Sequence, residues 1–407
     1  MSEWKEVSLS ELGKTITGKT PSSQYPEDFG DEVPFITPSD SFEKKYISRS
    51  ERYLSRLGSD RLKDKIISSD SIMVTCIGSA MGKVAKNSLP SVTNQQINSI
   101  IVNENFDSDY IYYLFKNNYA VFRNAASGST AIPILNKTYF DNLRFKVELD
   151  LNQQRKMVSI LSKIDAKIEI NNQINQELEA MAKTLYDYWF LQFDFPDQNG
   201  KPYKSSGGKM VYNPELKREI PEGWGVEKLG DIANITMGQS PKGTSYNEVG
   251  EGMLFFQGST DFGWRFPVAR QYTTEPSRIA EEDDILLSVR APVGTLNIAD
   301  TRCCIGRGLA AINSKVGVNS YIFNVMQDFK KLFDMRNSVG TTFGSITKDD
   351  LYSLQLVYPP NELLMKFDQS VKSFDREIKN RSRQNQGLTQ LRDWLLPMLM
   401  NGQVKVK

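Results

Sequence analysis

The sequence contains two copies of one pattern, and the second copy begins about 220 residues after the first. Both copies open on a Trp, pass through a short polar segment to a Gly, and reach a Pro three residues after that Gly. The matched segments are 4–21 with 224–241, 33–39 with 253–259, 70–75 with 283–288, and 128–130 with 340–342. A single duplication of this length predicts two similar domains and not a solenoid, which would need several short repeats.

Each copy divides into a globular part and a helical part. The globular part combines short strand-like runs with turns rich in Gly, Ser, Thr and Asn. The strand-like runs are 71–77, 99–103, 284–289 and 309–313, and short helical patterns lie near 110–122 and 321–333. The helical part of the first copy, 152–190, has no Pro or Gly and repeats apolar residues at helical spacing. Between the copies, the Pro-, Gly-, Ser- and Lys-rich segment 193–223 is typical of a connector.

The two helical parts can be written as heptads with a largely apolar seam. The seam residues predicted to pack the helices together are Leu161, Ile164, Ile168, Asn175, Leu178, Leu185, Val371, Phe374, Ile378, Asn385, Leu388 and Leu395. Asn175 and Asn385 occupy the same seam position in the two copies. A buried Asn would fix the helix register at some cost in stability, whereas an Asn at a solvated edge would not, and the pattern leaves both interpretations open. Two long helices from a repeated chain predict an antiparallel coiled coil with a pseudo-two-fold axis.

The composition excludes several classes of activity. The chain has 407 residues, enough for two or three domains, and it contains no histidine. This removes the commonest general base, the nucleophile pairs that depend on histidine, and most zinc sites. The formal net charge is +1, and a free-standing nucleic-acid binder is usually more basic. Binding of a polyanion would therefore depend on local patches or on partner proteins.

Membrane and secretory signals are missing from the sequence pattern. No apolar run reaches the roughly 18 residues of a membrane span, and the first residues lack the apolar core of a secretory signal. Cys76, Cys303 and Cys304 have no paired spacing. We therefore expect a cytoplasmic protein with reduced thiols.

Two short motifs imitate nucleotide-binding sites. The segment GKTITGKT, residues 13–20, matches the P-loop pattern. A P-loop needs a buried strand before it and a helix after it, yet Pro-Ser-Ser-Gln-Tyr-Pro follows residue 20, and the repeat mate at 233–240 lacks the Lys. The segment GRGLAA, residues 306–311, matches a loose dinucleotide fingerprint, but no βαβ pattern surrounds it. We interpret both motifs as turns.

Polar loops at matching places in the two copies form the candidate binding surface. Their residue types suit DNA, because Arg and Lys bind guanine, Asn and Gln bind adenine, and hydroxyls bind phosphate. The candidate DNA-binding residues are Lys19, Thr20, Ser22, Ser39, Ser79, Lys83, Asn94, Gln95, Gln96, Ser129 and Thr130 in the first copy, and Gln239, Ser240, Lys242, Gln257, Ser259, Arg265, Arg290, Arg307, Thr341 and Thr342 in the second. Any one loop, taken alone, is more simply a solvated turn. The alignment of the copies places Gln95 opposite Arg307 and Lys19 opposite Gln239, which is what a reader of two different half-sites would need.

The connector and the C-terminal segment resemble a known family. FDFPDQNGKPYKSSGGKMVYNPELKREIPEGW, residues 193–224, is similar to the segment between the two halves of type I restriction–modification specificity (S) subunits. LTQLRDWLLPMLMNGQV, residues 388–404, resembles the C-terminus of those subunits, and the opening of each copy is similar to the opening of each of their halves. The resemblance covers the whole chain.

Together with the repeat, the resemblance implies an α+β protein, with two pseudo-repeated globular target-recognition domains joined by two long helices packed as an antiparallel coiled coil. The expected divisions are a first target-recognition domain at 1–149, a central helical spacer region at 150–192, a connector at 193–222, a second target-recognition domain at 223–358, and a C-terminal helical spacer region and tail at 359–407. Each domain would read one part of a split, asymmetric DNA site. The helices would set the spacer between those parts and dock methyltransferase subunits.

The resemblance also implies a non-catalytic chain that binds no cofactor or metal itself. S-adenosylmethionine, ATP and Mg would bind to partner subunits. The expected partners are double-stranded DNA, two methyltransferase (modification) subunits and two restriction/translocase subunits, with no membrane.

Two other functions fit parts of the sequence. A non-DNA adaptor would use the helices for dimerisation and the globular domains to bind protein or sugar, and a lack of salt-dependent duplex binding would favour it. An ATPase would use residues 13–20, and unchanged activity after Lys19→Ala would exclude it.

Overall fold

The computed structural model describes residues 3–78, 80–125, 134–338 and 345–406, and the side chains of all of these except 332–338. It divides into two units, and the division falls inside both long helices. The first unit is Met1–Glu169 with Gln386–Lys407, and the second is Ile170–Asn385.

The first unit is a mixed α+β domain with a segment of each long helix. Its strands are Trp4–Ser8 (β1), Gly13–Thr17 (β2), Phe29–Gly30 (β3), Val33–Ile36 (β4), Tyr46–Ile47 (β5), Arg52–Leu54 (β6), Ile72–Thr75 (β7), Val84–Asn87 (β8), Val92–Thr93 (β9), Ile97–Val102 (β10) and Arg144–Glu148 (β11). Its helices are Leu9–Leu12 (α1), Arg56–Arg61 (α2), Ser108–Asn117 (α3), Tyr119–Ala125 (α4) and Lys137–Asp141 (α5), followed by the first long helix, Leu151–Tyr186 (α6). Short 3₁₀ turns lie at Pro26–Asp28 and Lys63–Lys65.

The second unit repeats this order of elements. Its strands are Met210–Asn213 (β12), Arg218–Pro221 (β13), Gly225–Lys228 (β14), Ala233–Met237 (β15), Tyr246–Asn247 (β16), Met253–Phe256 (β17), Tyr272–Thr273 (β18), Ile279–Ala280 (β19), Ile285–Ser288 (β20), Leu296–Ile298 (β21), Cys303–Ile305 (β22), Leu309–Ser314 (β23) and Gln355–Tyr358 (β24). Its helices are Leu229–Ile232 (α7), Asn319–Ser338 (α8), Lys348–Tyr352 (α9) and the second long helix, Asn361–Met400 (α10). A π-helical turn lies at Asp187–Leu191, and 3₁₀ turns lie at Gly243–Ser245 and Ser259–Asp261.

The sheets of the two units share a strand order, apart from the edge strands β5 and β19, which have no counterpart strand in the other unit. In the first unit one sheet has the order β2-β10-β7-β8-β5 and another the order β3-β6-β4-β9, and β1 pairs with β11. In the second unit the corresponding sheets have the orders β15-β23-β20-β21 and β16-β18-β17-β22-β19, and β14 pairs with β24. The predicted duplication is therefore a duplication of the fold.

Local sequence explains why the central elements form where they do. The run of β-branched and other apolar residues in β7 is buried at all four positions, as expected of a central strand. Helix α3 begins after Asp107, whose carboxylate accepts hydrogen bonds from the backbone N–H groups of Asp109 and Tyr110. Six consecutive residues of α3, from Tyr110 to Phe115, are buried and join the strands of the first domain in one core. The predicted strands and short helices of the first domain are confirmed, with shifts of one to a few residues at their ends.

The long helices pack in opposite directions within each unit. In the first unit Arg392 of α10 binds Asp165 of α6 over 3.0 Å, and Leu161 shares a core with Leu399. In the second unit Asn171 donates to Asn385, and Asn175 donates to Ser382. Later residues of α6 therefore contact earlier residues of α10. The expected antiparallel coiled coil is thus present in both segments.

A polar network lies within the helix pair of the second unit. Asn171 is fully buried, and its amide donates to Gln384 and Asn385, each over 2.8 Å. Asn175 is 2% exposed. The buried Oδ1 of Asn175 has no hydrogen-bond partner among the described residues, so this side chain is buried at a cost in stability. Its burial favours the interpretation in which the Asn fixes the register over that of a solvated edge. Asn385 is half-buried and pairs with Asn171 and Asn172 instead of Asn175.

The predicted seam residues all lie in buried or half-buried positions. The buried ones are Leu161, Ile164, Asn175, Val371 and Ile378, and the half-buried ones are Ile168, Leu178, Leu185, Phe374, Asn385, Leu388 and Leu395. A search of the helices in the described residues finds none that combines the length and the hydrophobicity of a membrane span.

The connector is built against the second domain. Phe195 stacks on Tyr203 and on Trp224, with ring centroids 4.6 and 5.2 Å apart. Phe193 and Ile220 belong to the core of the second unit. These aromatic contacts explain how a segment rich in Gly and Pro holds a defined conformation.

Candidate nucleic-acid interface

In the first domain, the polar loops that follow β2, β4 and β9 meet at one edge. We define the first loop cluster as residues 18–22, 36–40 and 93–97. The Lys19 N–H donates to the Thr93 carbonyl over 2.8 Å, and the Asn94 N–H donates to the Ile36 carbonyl over 3.0 Å. The Thr20 hydroxyl donates to Gln95 over 2.6 Å. The cluster therefore brings Lys19, Thr20, Asn94, Gln95 and Gln96 together.

In the second domain, the equivalent loops meet in the same way. We define the second loop cluster as residues 238–242, 256–260, 288–290 and 305–309. The Gln239 N–H donates to the Ile305 carbonyl over 3.0 Å, and the Gly306 N–H donates to the Phe256 carbonyl over 2.9 Å. These two hydrogen bonds correspond, under the repeat alignment, to those of Lys19 and Asn94 in the first loop cluster. The Ser240 hydroxyl donates to Gln257 over 3.0 Å.

The remaining candidates of the second domain lie at varying distances from this cluster. Arg290 follows β20, where the Val289 N–H donates to the Gly308 carbonyl over 2.9 Å and so brings this strand end to the loop of Arg307. Ser259 opens a 3₁₀ turn after Gln257. Lys242 is exposed on the loop that also holds Ser240.

A glycine holds the loops together in each domain. A Cβ at Gly18 would lie 2.2 Å from the carbonyl oxygens of Thr93 and Asn94. A Cβ at the equivalent Gly238 would lie 2.1 Å from the carbonyl oxygen of Gly306. The repeated Gly before the Thr-Pro or Ser-Pro turn is thus explained by close backbone approach.

The substitution Gly238→Ala is expected to destabilise the protein. The added methyl group would meet backbone atoms that cannot move aside without opening the cluster, and overpacking of this kind costs about 1–3 kcal/mol. Urea unfolding followed by tryptophan fluorescence measures the difference. Gly243→Ala is the matched control, because a Cβ at Gly243 meets nothing within 4 Å. Equal unfolding of the two variants would contradict this explanation of the repeated glycine.

The two loop clusters present different chemical groups on one backbone frame. Gln95 and Arg307 occupy equivalent exposed positions, and so do Lys19 and Gln239. A Gln amide can make paired hydrogen bonds to adenine, whereas an Arg guanidinium can make them to guanine. The geometry thus supplies two similar surfaces with distinct hydrogen-bonding capacity.

Positive charge in the clusters is partly uncompensated. Lys19, Arg290 and Arg307 are exposed and form no ion pair within the part of the chain that the structure describes. Lys83, by contrast, binds Glu43 over 2.8 Å. The three unpaired cations are therefore free to bind phosphates or base edges, which is how a nearly neutral chain can hold a polyanion.

Arg265 is not an available DNA contact, and this prediction is wrong. Its side chain is 7% exposed and its guanidinium binds Glu179 and Asp375. The other candidates in the first domain, Ser22 and Ser39, are exposed, and Ser39 shares a hydrogen bond with Thr37. The candidates Ser79, Ser129, Thr130, Thr341 and Thr342 lie outside the described residues.

The sequence patterns did not indicate Ser277 and Arg278. The Ser277 hydroxyl donates to the Gln239 carbonyl, and the Ile305 N–H donates to the Arg278 carbonyl over 2.9 Å. Arg278 is exposed beside the second loop cluster. Both residues lie in an irregular stretch that has no counterpart among the repeated motifs. The basic side chain of Arg278, directly before β19, was the only sequence feature that could have indicated this part of the surface.

The comparisons with known proteins agree with one another. The family described as "Type I restriction modification DNA specificity domain" matches residues 1–180 and 221–389. The chain belongs to this family. A type I restriction enzyme specificity subunit of Methanocaldococcus jannaschii, MjaIX, is 27% identical over 425 residues, which cover 100% of this chain and 94% of the relative. A second protein of that organism, described as the MjaX specificity subunit, is 33% identical over 309 residues, covering 73% of this chain and 68% of the relative.

A solved structure shares the fold of this specificity subunit. The crystal structure of the S subunit of a type I restriction–modification system from M. genitalium matches with a TM-score of 0.62 and 16% identity, covering 98% of this chain and 96% of that one. Specificity subunits are non-catalytic, and the family therefore directs attention to binding surfaces.

The two sequence motifs that match nucleotide-binding patterns have structural roles in the specificity subunit. Residues Gly13–Thr17 of the P-loop match form strand β2. No helix begins at Thr20, and the next helical turn is the short 3₁₀ turn at Pro26–Asp28. In the dinucleotide match, a Cβ at Gly308 would lie 2.7 Å from the carbonyl oxygen of Gln257. These glycines allow close packing of loops. The prediction that both motifs are turns holds for only part of each, because Gly13–Thr17 belongs to strand β2 and 309–311 belongs to strand β23.

Two buried cysteines of the specificity subunit, Cys76 and Cys303, are held as thiols. Burial raises the pKa of the Cys76 thiol to about 12, although hydrogen bonds from Asn98 oppose the rise. Burial also raises the pKa of Cys303 to about 12. A thiol with such a pKa is not a nucleophile at neutral pH. Among the described residues, no group of three Cys, Asp or Glu side chains could hold a metal ion.

A buried lysine joins β8 to the turn before β7 and to the start of α3. Lys86 is fully buried, and its ammonium lies 2.6 Å from an Asp70 oxygen and 2.5 Å from an Asp109 oxygen. Burial acts to raise the pKa of Asp109, but hydrogen bonds from Lys45 and Lys86 outweigh it and the pKa lies below its ordinary value. The pKa of Asp70 is also lowered, because the hydrogen bonds from Lys86 and Ser108 outweigh its partial burial.

The substitution Lys86→Met is expected to destabilise the first domain by about 1–3 kcal/mol at pH 7, since it removes the partner that two carboxylates share, although Asp109 keeps Lys45 and Asp70 is half-exposed. The carboxylates have lowered pKa values in the folded state. The carboxylates therefore contribute to the free energy of unfolding at pH values above their pKa in the unfolded chain, which is about 4. This contribution is lost as the pH falls through their lower pKa values in the folded state. The difference between wild type and variant should shrink as the pH falls below about 4.

Urea unfolding at several pH values measures this difference. Lys137→Met is the matched control, because Lys137 and Asp141 form an ion pair with a half-exposed lysine. Such surface pairs contribute at most about 0.5 kcal/mol. A Lys86→Met effect that did not change between pH 7 and pH 3 would contradict the electrostatic explanation.

Proposed function

We propose that this specificity subunit gives a type I restriction–modification complex its DNA sequence preference, with each globular domain reading one part of a split, asymmetric site. The two long helices set the spacer between the two parts and dock methyltransferase subunits. The proposal goes beyond family membership, because it assigns roles to separate parts of the chain.

The observation that carries the proposal is the pair of loop clusters. They share backbone hydrogen bonds at equivalent positions, yet Gln95 in one cluster is replaced by Arg307 in the other. A duplicated frame with unequal side chains is suited to an asymmetric split sequence. The uncompensated charge of Lys19, Arg290 and Arg307 supports contact with phosphates or guanine.

The chemistry belongs to the partner subunits in this proposal. The methyltransferase subunits bind S-adenosylmethionine and transfer the methyl group to adenine after the base leaves the duplex stack. The restriction/translocase subunits bind ATP and Mg. This chain contributes recognition and binds no cofactor, and the whole complex acts in the cytoplasm.

The helices offer surface for two methyltransferase subunits. Large apolar side chains are exposed on both helices: Ile170 is 50% exposed, Met181 52%, Leu391 44% and Trp394 58%. Exposed apolar side chains of this size are typical of protein interfaces. The internal repeat supports two equivalent docking sites, and hence two methyltransferase and two restriction subunits per complex.

The proposal is tested by duplex binding. The chain, purified together with its methyltransferase subunit, is titrated against fluorescent duplexes at several salt concentrations. DNA recognition predicts that the logarithm of the association constant falls linearly with the logarithm of the salt concentration. If the intact complex bound no duplex in a salt-dependent manner, the alternative of a non-DNA adaptor that dimerises through its helices would be favoured.

A further inference from the structure

One cationic position recurs in both units, and in each it contacts the first long helix. The repeat alignment places Lys45 in the first copy opposite Arg265 in the second, with the same offset of 220 residues as the flanking segment. Neither residue was recognised as a helix contact from the sequence. Both are buried or nearly so, with side-chain exposures of 15% for Lys45 and 7% for Arg265.

Arg265 bridges both long helices from a loop of the second domain. Its guanidinium lies 3.0 Å from a Glu179 oxygen of α6 and 2.6 Å from an Asp375 oxygen of α10. The guanidinium also lies over the ring of Phe323 in α8, 4.2 Å from its centroid. Burial raises the pKa of the Asp375 carboxyl, and the charge of Arg265 acts against that rise.

The loop that carries Arg265 is held in place by backbone contacts. The Ile298 N–H of β21 donates to the Arg265 carbonyl over 2.8 Å. Asn297 exchanges two hydrogen bonds with Gly263, and a Cβ at Gly263 would lie 2.5 Å from the Phe266 carbonyl oxygen. The guanidinium is therefore presented to the helices from a fixed loop.

Lys45 holds the equivalent place in the first unit. Its ammonium lies 2.7 Å from Asp109 of α3 and 3.3 Å from Ser162 of α6, and it lies over the ring of Tyr113. The Lys86 N–H donates to the Lys45 carbonyl over 2.7 Å, as the Ile298 N–H does to the carbonyl of Arg265. The backbone frame is the same, and the cation is kept in both copies.

We propose that Arg265 is a positioning residue that fixes the second domain on the helix pair, and that it thereby determines which spacer lengths the complex accepts. This inference rests on the proposed function, in which the helices set the spacer. A planar guanidinium that bridges two carboxylates on different helices allows one orientation, whereas apolar contacts allow the domain to tilt. Arg265 itself touches no DNA in this account.

The test compares methylation of duplexes that carry both half-sites separated by spacers of different lengths. The complex with the methyltransferase subunit is prepared as wild type and as Arg265→Met, and also with the triple change Arg265→Met, Glu179→Gln and Asp375→Asn. The triple variant removes the guanidinium without leaving buried carboxylates unpaired, so that it folds even where Arg265→Met does not. The measured quantity is the methylation rate on spacers one base pair longer or shorter, divided by the rate on the preferred spacer. In both variants we expect this ratio to be about tenfold higher than in wild type.

Two controls separate positioning from stability. Arg265→Lys can keep one of the two ion pairs to the long helices, and it should restore much of the spacer preference. Arg270→Met removes an arginine of the same domain that is bound to Asp261 and Glu248 and not to the helices, and should leave the ratio unchanged.

The outcomes are distinct. A fall in rate by the same factor on all spacers in the triple variant would overturn the inference and leave the proposed function intact. A wild-type complex without preference for any spacer would overturn both.

Discussion

Replacing Arg307 by alanine is expected to weaken DNA binding by about 5- to 150-fold and to relax the sequence preference of one half-site. Arg307 is exposed in the second loop cluster and free of ion pairs within the described residues. Loss of a paired contact between an arginine and a guanine costs about 1–3 kcal/mol. Competition binding with duplexes randomised in either half-site separates the loss of affinity from the loss of preference.

Two controls make this result specific. Arg302→Ala removes an exposed arginine of the same domain that binds Glu281 over 3.0 Å, and affinity should change by less than about twofold. Gln95→Ala, at the position equivalent to Arg307, should relax only the other half-site. If Arg307→Ala relaxed both half-sites together, the assignment of one half-site to each domain would be contradicted.

Lengthening both long helices together is expected to change the accepted spacer and leave the half-sites unaltered. A seven-residue insert in α6 between Glu169 and Ile170, matched by one in α10 between Asn385 and Gln386, keeps the seam of both helices in register. Each insert adds about 10 Å of helix. Since base pairs are stacked about 3.4 Å apart, the spacer should lengthen by at most about three base pairs, and methylation of the original spacer should be lost.

The matched control is the same insert in α6 alone. It would displace the network of Asn171, Gln384 and Asn385 and leave the seam unmatched, so methylation should be lost on every spacer. A spacer unchanged by the double insert would contradict the role of the helices. A change in the half-site sequences would contradict the separation of recognition from spacing.

Much of the fold could be predicted because the pattern that specifies it is local and repeated. The apolar run of β7 and the helical spacing of α6 each depend on neighbours in sequence, and the repeat provides a second example of both. The Gly before each Thr-Pro or Ser-Pro turn was visible in the sequence, but its reason, the approach of a distant backbone segment, required the structure.

The candidate site was predicted less completely, because the residue type does not reveal what surrounds a side chain. Arg265 and Arg307 are both arginines in polar loops of one domain, yet one is buried against two carboxylates and the other is exposed. The contacts of Lys45 were not predicted for the same reason. The carboxylates that bind these cations lie more than 60 residues away in the sequence, on helices that fold against the domain.

The decisive experiment is a map of N6-methyladenine in a host without other adenine methylation, made by long-read sequencing after this chain is expressed with its methyltransferase subunit. If each domain reads one half-site, we expect one split, asymmetric motif with a fixed spacer, in which Arg307→Ala alters the letters of only one part. A contiguous motif, or no methylation from a complex that is assembled and stable, would contradict this role of the domains.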